Sequence, residues 1–243
     1  PLYFPFLSAQ QTREVIFSMG SKDGGQINSR VGIVASCVPI PAHFRYCPQC
    51  LAEQLAELGE AYWRRMHQLP CIDVCIVHSC KLEDTAVPFH PKEKHHYHAA
   101  IIECHSRQMR GVDLTQSEQR VIEYHQELLD VSVLEGFGAN RWTLYYQQLA
   151  KDLGFTHKSR VQHQDIHHSL KQVWKNSFLE PFLPEMNESS WLINLFRKHR
   201  KSFHPLRHLM VLAALTPNKS LSEVLQQVKT YPVEQVPTTQ VFM

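Results

Sequence analysis

No stretch of this 243-residue chain approaches eighteen consecutive apolar residues, which argues against a membrane span. No secretory signal pattern opens it. There is no H-E-x-x-H, no glycine-rich phosphate loop, and no pair of carboxylates in an evident acid–base setting. Glu60 and His67 come nearest to a catalytic pair, being seven positions apart, and His67 reads better as a packing residue. The chain therefore reads as a protein without enzymatic activity. Internal repeats and low-complexity tracts are missing too. The seven cysteines are an odd number, which argues against a complete disulfide framework. The opening "PLYFPFL" lacks an initiator Met, and the ending "YPVEQVPTTQVFM" looks arbitrary, as expected of a piece of a longer chain.

What is present is ordinary globular material, 43% apolar. The formal charge of +2 is unevenly spread. Residues 1–150 hold 13 Lys+Arg and 16 Asp+Glu, a net of −3, and residues 151–243 hold 12 and 7, a net of +5. The later part thus permits a nucleic-acid surface. Sixteen histidines are scattered and guide the chemistry poorly.

Two short segments carry the strongest signal. "RYCPQC" places Cys47 and Cys50 in a C-x-x-C pair, and "VCIVHSC" places Cys75 and His78 in a C-x-x-H pair. Thiolates and imidazole are the ligands zinc prefers, and four of them close a tetrahedral structural site. Cys47, Cys50, Cys75 and His78 are the expected Zn²⁺ ligands. Cys80 lies two residues beyond His78 and is an alternative fourth ligand. A redox C-x-x-C would want a thioredoxin-like strand-to-helix context, which is absent.

Helical periodicity accounts for most of the remainder. The spacing predicts helices over about 8–20, 51–67, 114–136, 141–154, 163–178, 190–200, 205–215 and 220–231. Gly59 weakens or breaks the second of these. Thr115/Glu118 and Ser220/Glu223 have capping-box spacing, and Pro205 fits a first helical turn. "GIVASCVP" reads as a strand or extended leg, and residues 81–98 read as irregular. The expected fold is mainly α: a small Cys3His zinc-finger module over 1–98, then a helical bundle with helix-turn-helix-like elements over 99–243.

"LYYQQLAKDLGF" suggests the first helix of a helix-turn-helix, with Gly154 at the turn. The residues then available for DNA are Lys158, Arg160, Gln162, Gln164, His167, His168 and Lys171. A second basic stretch, "RKHRKSFHPLRH", offers Arg197, Lys198, Arg200 and Lys201 to phosphates.

Residues 45–82, "RYCPQCLAEQLAELGEAYWRRMHQLPCIDVCIVHSCKL", resemble the zinc-finger region of the TnsD/TniQ transposition proteins. Gly59-Glu60, Tyr62-Trp63, Arg65, His67-Gln68 and Leu69-Pro70 fall in that family's order. "WLINLFRKHRKSFHPLRHLMVLAAL" resembles the TnsD segment in which a basic stretch precedes "HPLRHLL", and "LYFPFL" is similar to an early stretch of the family. Two positions depart: the family's glycine after "QLP" is Cys71 here, and its glycine after the ligand histidine is Ser79. The resemblance implies a DNA-binding targeting factor that recognises a specific chromosomal attachment site in double-stranded DNA. It further implies partners, namely an AAA+ ATPase regulator and, through it, transposase subunits, working in the cytoplasm on the nucleoid. The short members of the family instead dock on an RNA-guided effector, which leaves a protein adaptor as the alternative. "HPLRHL" and the continuation past residue 150 favour the TnsD type.

Overall fold

The computed structural model describes residues 2–21, 24–33, 36–90, 96–130, 135–187, 189–197 and 202–233. In chain order, the helices and strands are α1 (Ala9–Met19), α2 (Ile27–Arg30), β1 (His43–Tyr46), α3 (Pro48–Leu58), β2 (Val74–Cys75), β3 (Cys80–Lys81) and β4 (Glu83–Pro88). There follow α4 (Ala100–Glu103), α5 (Gln116–Asp130), α6 (Ala139–Asp152), β5 (Thr156–His157), β6 (Arg160–Val161), α7 (His163–Val173), α8 (Trp191–Arg197), α9 (Pro205–Leu215) and α10 (Leu221–Thr230). The fold is predominantly helical, with three two-stranded antiparallel ladders among the described residues. The chain forms two compact units. One comprises residues 38–126, and the other joins 1–37 to 127–243. The boundary read from the sequence at 98/99 falls inside the first.

The smaller unit is organised around β1 and β4, with α3 leaving β1 through the first cysteine pair. Helix α3 stops at Gly59, whose left-handed φ of 70° turns the chain away. The expected helix to residue 67 is therefore cut short, and residues 65–68 form only a 3₁₀ turn. Strand β4 lies in the stretch expected to be irregular. Its alternation is real but disguised, because Glu83 takes an inward position beside Thr85 and Val87. Arg107 and Arg110 reach Glu83 at 3.5 and 2.6 Å and make that burial tolerable. In "GIVASCVP", Gly32, Ile33 and residues 36–39 form no strand; residues 34–35 lie outside the described set.

The larger unit is built on α9, which is apolar almost all round and buried on nearly every side. His204 caps this helix by accepting from the Leu206 amide at 3.1 Å. His208 is buried, stacks on Phe6 at 4.3 Å, and shares a 3.0 Å hydrogen bond with the Tyr146 hydroxyl. Arg207 donates to the Ser36 carbonyl at 2.6 Å and lies over the Trp191 ring. "HPLRH" is thus an internal fastening, not a phosphate patch. The early "LYFPFL" stretch joins the same core: Phe4, Phe6 and Leu7 are buried, and the Trp142 indole donates to the Pro5 carbonyl at 2.8 Å. The expected capping boxes at Thr115/Glu118 and Ser220/Glu223 are both formed.

Candidate metal centre and nucleic-acid face

Three segments converge to build the metal centre. β1 delivers Cys47, which caps α3; Cys50 lies in the first turn of that helix, and its amide donates to the Cys47 sulfur at 3.4 Å. Cys75 ends β2, and His78 sits on the turn to β3. The ligand atoms of Cys47, Cys50, Cys75 and His78 all lie within 4.8 Å of one another. His78 Nδ1 is 3.4, 3.4 and 3.7 Å from the sulfurs of Cys47, Cys50 and Cys75. This donor set suits zinc, and a full shell of four leaves a structural site with no open position. Zinc bound there ties α3 to the β2–β3 turn.

The electrostatics fit a cation. Hydrogen bonds from Cys50 and Cys75 pull the Cys47 thiol down, while the same crowding pushes Cys50 and Cys75 up. So without a positive charge only one of these sulfurs is favoured as thiolate. A divalent ion removes that conflict, and its binding energy becomes folding energy.

Sequence reasoning missed Glu53. Its Oε1 accepts from His78 Nε2 at 2.8 Å. That bond fixes the tautomer and turns Nδ1 toward the sulfurs, the usual carboxylate support of a metal-bound imidazole. Glu53 is three residues past Cys50, where one helical turn carries it toward the turn bearing His78. That offset is the signal that could have found it.

The motif residues between the pairs are framework. The Gln68 side chain clamps the Arg45 backbone, accepting from its amide at 3.0 Å and donating to its carbonyl at 2.7 Å. Arg45 in turn donates to the Leu69 carbonyl at 2.6 Å, and the Trp63 indole donates to the His98 carbonyl at 2.9 Å. His67 is buried, and desolvation holds its pKa down to about 4. These contacts aim β1, and so Cys47, at the centre. Cys71 and Ser79, the two departures from the resemblance, both take left-handed φ values, 61° and 45°. The backbone thus retains the conformation that suits glycine.

The sequence-predicted DNA residues divide. Between α6 and α7 the chain forms a β5–β6 hairpin, not a tight turn, with Lys158 and Ser159 at its tip. Both have left-handed φ, 46° and 63°, as a two-residue hairpin loop needs. The Phe155 carbonyl accepts from the Gln162 amide at 2.9 Å and anchors the hairpin to the start of α7. Lys158 and Arg160 are exposed, and so are Gln164, His168 and Lys171 on α7; Gln162 is half-buried. His167 does not join that face. It is buried and donates from Nε2 to the Pro184 carbonyl at 3.0 Å. Arg197 is exposed at the end of α8 and near enough to help depress the His163 pKa, after desolvation. Lys198, Arg200 and Lys201 lie outside the described residues. Beside α7, a shallow groove of about 550 Å³ includes Lys171 with Glu180 and Glu185, so carboxylates border that side.

Comparisons agree with this layout. The family model for Tn7-like transposition protein D matches residues 122–238, and that for TniQ matches residues 4–82. The chain is 33% identical over 237 residues to the transposon Tn7 transposition protein TnsD of Escherichia coli, covering 93% of this chain and 45% of that protein. It thus spans less than half the length of that relative. No helix among the described residues is long and apolar enough to cross a membrane. With a Cys3His centre in the TniQ region and a buried "HPLRH" helix in the TnsD region, the chain belongs to the TnsD/TniQ family of transposition proteins.

Proposed function

We propose that this chain is a non-catalytic targeting factor of transposition, which recognises a chromosomal attachment site and brings an AAA+ ATPase regulator, and through it transposase, to that DNA. The observation that carries the DNA reading is the surface of the hairpin and α7. From Gly154 to Gln164 there is no carboxylate, Asp165 in the first turn of α7 being the next acidic residue; Lys158 stands exposed at the hairpin tip and Arg160 exposed on β6 beside it. Among the described residues neither makes an ion pair, so both are available to phosphates. Gln164 and His168, exposed on α7 beside them, are the side chains suited to base edges. The zinc-bearing unit serves as scaffold.

The test is footprinting and salt-dependent binding by this chain on duplex spanning the host insertion site. Phosphate contacts by Lys158, Arg160, Lys171 and Arg197 give a slope of log K against log[salt] of about −3.6. Lys158→Glu with Arg160→Glu should shrink that slope by about 2 and weaken all duplexes alike. Unchanged binding and slope would remove the hairpin from the DNA surface.

A second reading is a protein adaptor. Its support is the zinc-bearing unit, where Leu58, Tyr97 and Ile102 are 62%, 86% and 70% exposed. Where such side chains form one contiguous patch, they mark a protein-binding surface. Capture of the ATPase by a chain that leaves no footprint would favour this alternative.

A further inference from the structure

The metal centre has more donors than a tetrahedral ion can use. Cys80 is fully buried, and its sulfur is 3.4 Å from that of Cys47. It is no loose thiol. Cys80 pairs across the β2–β3 ladder with the ligand Cys75 and forms a bridge to Gly111. The next residue, Lys81, donates its amide to the Arg110 carbonyl at 2.9 Å. The backbone therefore holds a fifth sulfur against the ligand shell from two sides.

The five donors are not equivalent. His78 Nδ1 touches three sulfurs, whereas the Cys80 sulfur, among the described residues, has only the Cys47 sulfur within hydrogen-bond range. His78 also has the outer position, on an exposed turn beside Val77 and Ser79, and is held by a carboxylate that water reaches. The imidazole is thus the ligand most easily drawn away, and Cys80 is the further thiol that already touches a ligand sulfur.

We infer that Cys80 is a reserve ligand of the zinc centre, which takes the fourth position when His78 leaves it. The exchange makes one sulfur–zinc bond and breaks one nitrogen–zinc bond, and the Cys80 proton passes to the released imidazole. It keeps the ion in place while freeing the His78–Glu53 side of the unit. The inference rests on the zinc assignment, and metal analysis of the unaltered chain tests that assignment separately.

The experiment uses the whole chain, unaltered and as Cys80→Ser, His78→Ala and the double variant, loaded with zinc or with cobalt(II) as a spectroscopic probe. His78→Ala should keep one metal ion, with sulfur-to-cobalt charge transfer of four thiolates in place of three, and the double variant should lose the ion. In the zinc-loaded chain, Cys80→Ser alone should surrender its ion to a chelator about 10-fold faster than the unaltered protein. Where His78→Ala does not fold, that rate decides alone. A three-thiolate spectrum in His78→Ala, metal loss equal to that of the double variant, or an unaltered chelation rate in Cys80→Ser overturns the inference. If the unaltered chain holds zinc while these results fail, the zinc assignment stands and only the reserve role is lost.

Discussion

Ser79 offers a direct test of how the zinc turn is held. It adopts φ 45° between the ligand His78 and the fifth sulfur Cys80. A side chain with a β-carbon in the left-handed region costs about 1–2 kcal/mol. Glycine would relieve that cost, but it also gives the unfolded chain more freedom, worth about 0.4–1 kcal/mol. Ser79→Gly should therefore stabilise the zinc-loaded unit by about 0.5–1 kcal/mol net. Ser79 is exposed, so little packing is lost with its hydroxymethyl group. Its carbonyl accepts from the Val112 amide at 2.8 Å, and that bond survives the substitution. Ser79→Ala is the control, since it removes the hydroxyl and keeps the β-carbon. The assay is urea unfolding at saturating zinc, with hydrogen exchange at the Val112 amide as the local readout. Glycine should raise the midpoint and slow that exchange, and alanine should change neither by much. If Ser79→Gly is no more stable than Ser79→Ala, the turn is not strained and the argument fails.

Other outcomes follow from single contacts. Glu53→Ala should weaken zinc binding about 10-fold, the low end for a supporting carboxylate because this one is partly solvated, as chelator competition would measure. Gly136→Ala should destabilise the larger unit by about 1–3 kcal/mol in thermal unfolding, because a β-carbon there would meet the Leu7 and Ser8 carbonyl oxygens at 2.5 Å. His125 is buried, and desolvation holds its pKa down to about 4. The unfolded chain binds that proton first, so stability falls as pH drops from about 6.5 toward 4, by about 3 kcal/mol in all. His125→Phe should remove that part of the acid sensitivity in pH-dependent unfolding.

The metal ligands were legible because a C-x-x-C and a C-x-x-H pair state their own geometry, and bringing four such donors together needs only short turns on either side. Helix ends were legible where side chains cap them, as at Thr115 and Ser220. Three features were hidden. The β5–β6 hairpin lacks the Asn-Gly or Asp-Gly that announces such a turn, and Lys158-Ser159 takes the left-handed conformation instead. Strand β4 was masked by inward Glu83, whose arginine partners lie 24 and 27 residues further on. His167 looked like a DNA contact because helical spacing alone does not say which side of α7 faces Pro184.

The resemblance and the DNA reading rest on different kinds of residue. Gln68, Trp63, Arg45, His204 and His208 carry the resemblance, and each is committed to an internal hydrogen bond. Such residues suit any relative that folds this way, whatever DNA it meets. Lys158, Arg160, Gln164 and His168 face solvent, where core packing does not dictate their identity. A residue that reads a target must change when the target changes. Exchanging Gln164 and His168 for the corresponding side chains of a relative with another insertion site should therefore shift the footprint without shifting the unfolding midpoint. Exchanging Gln68 should do the reverse. A footprint that moves with Gln68, or a fold that fails with Gln164, would show that scaffold and reading face are not separate.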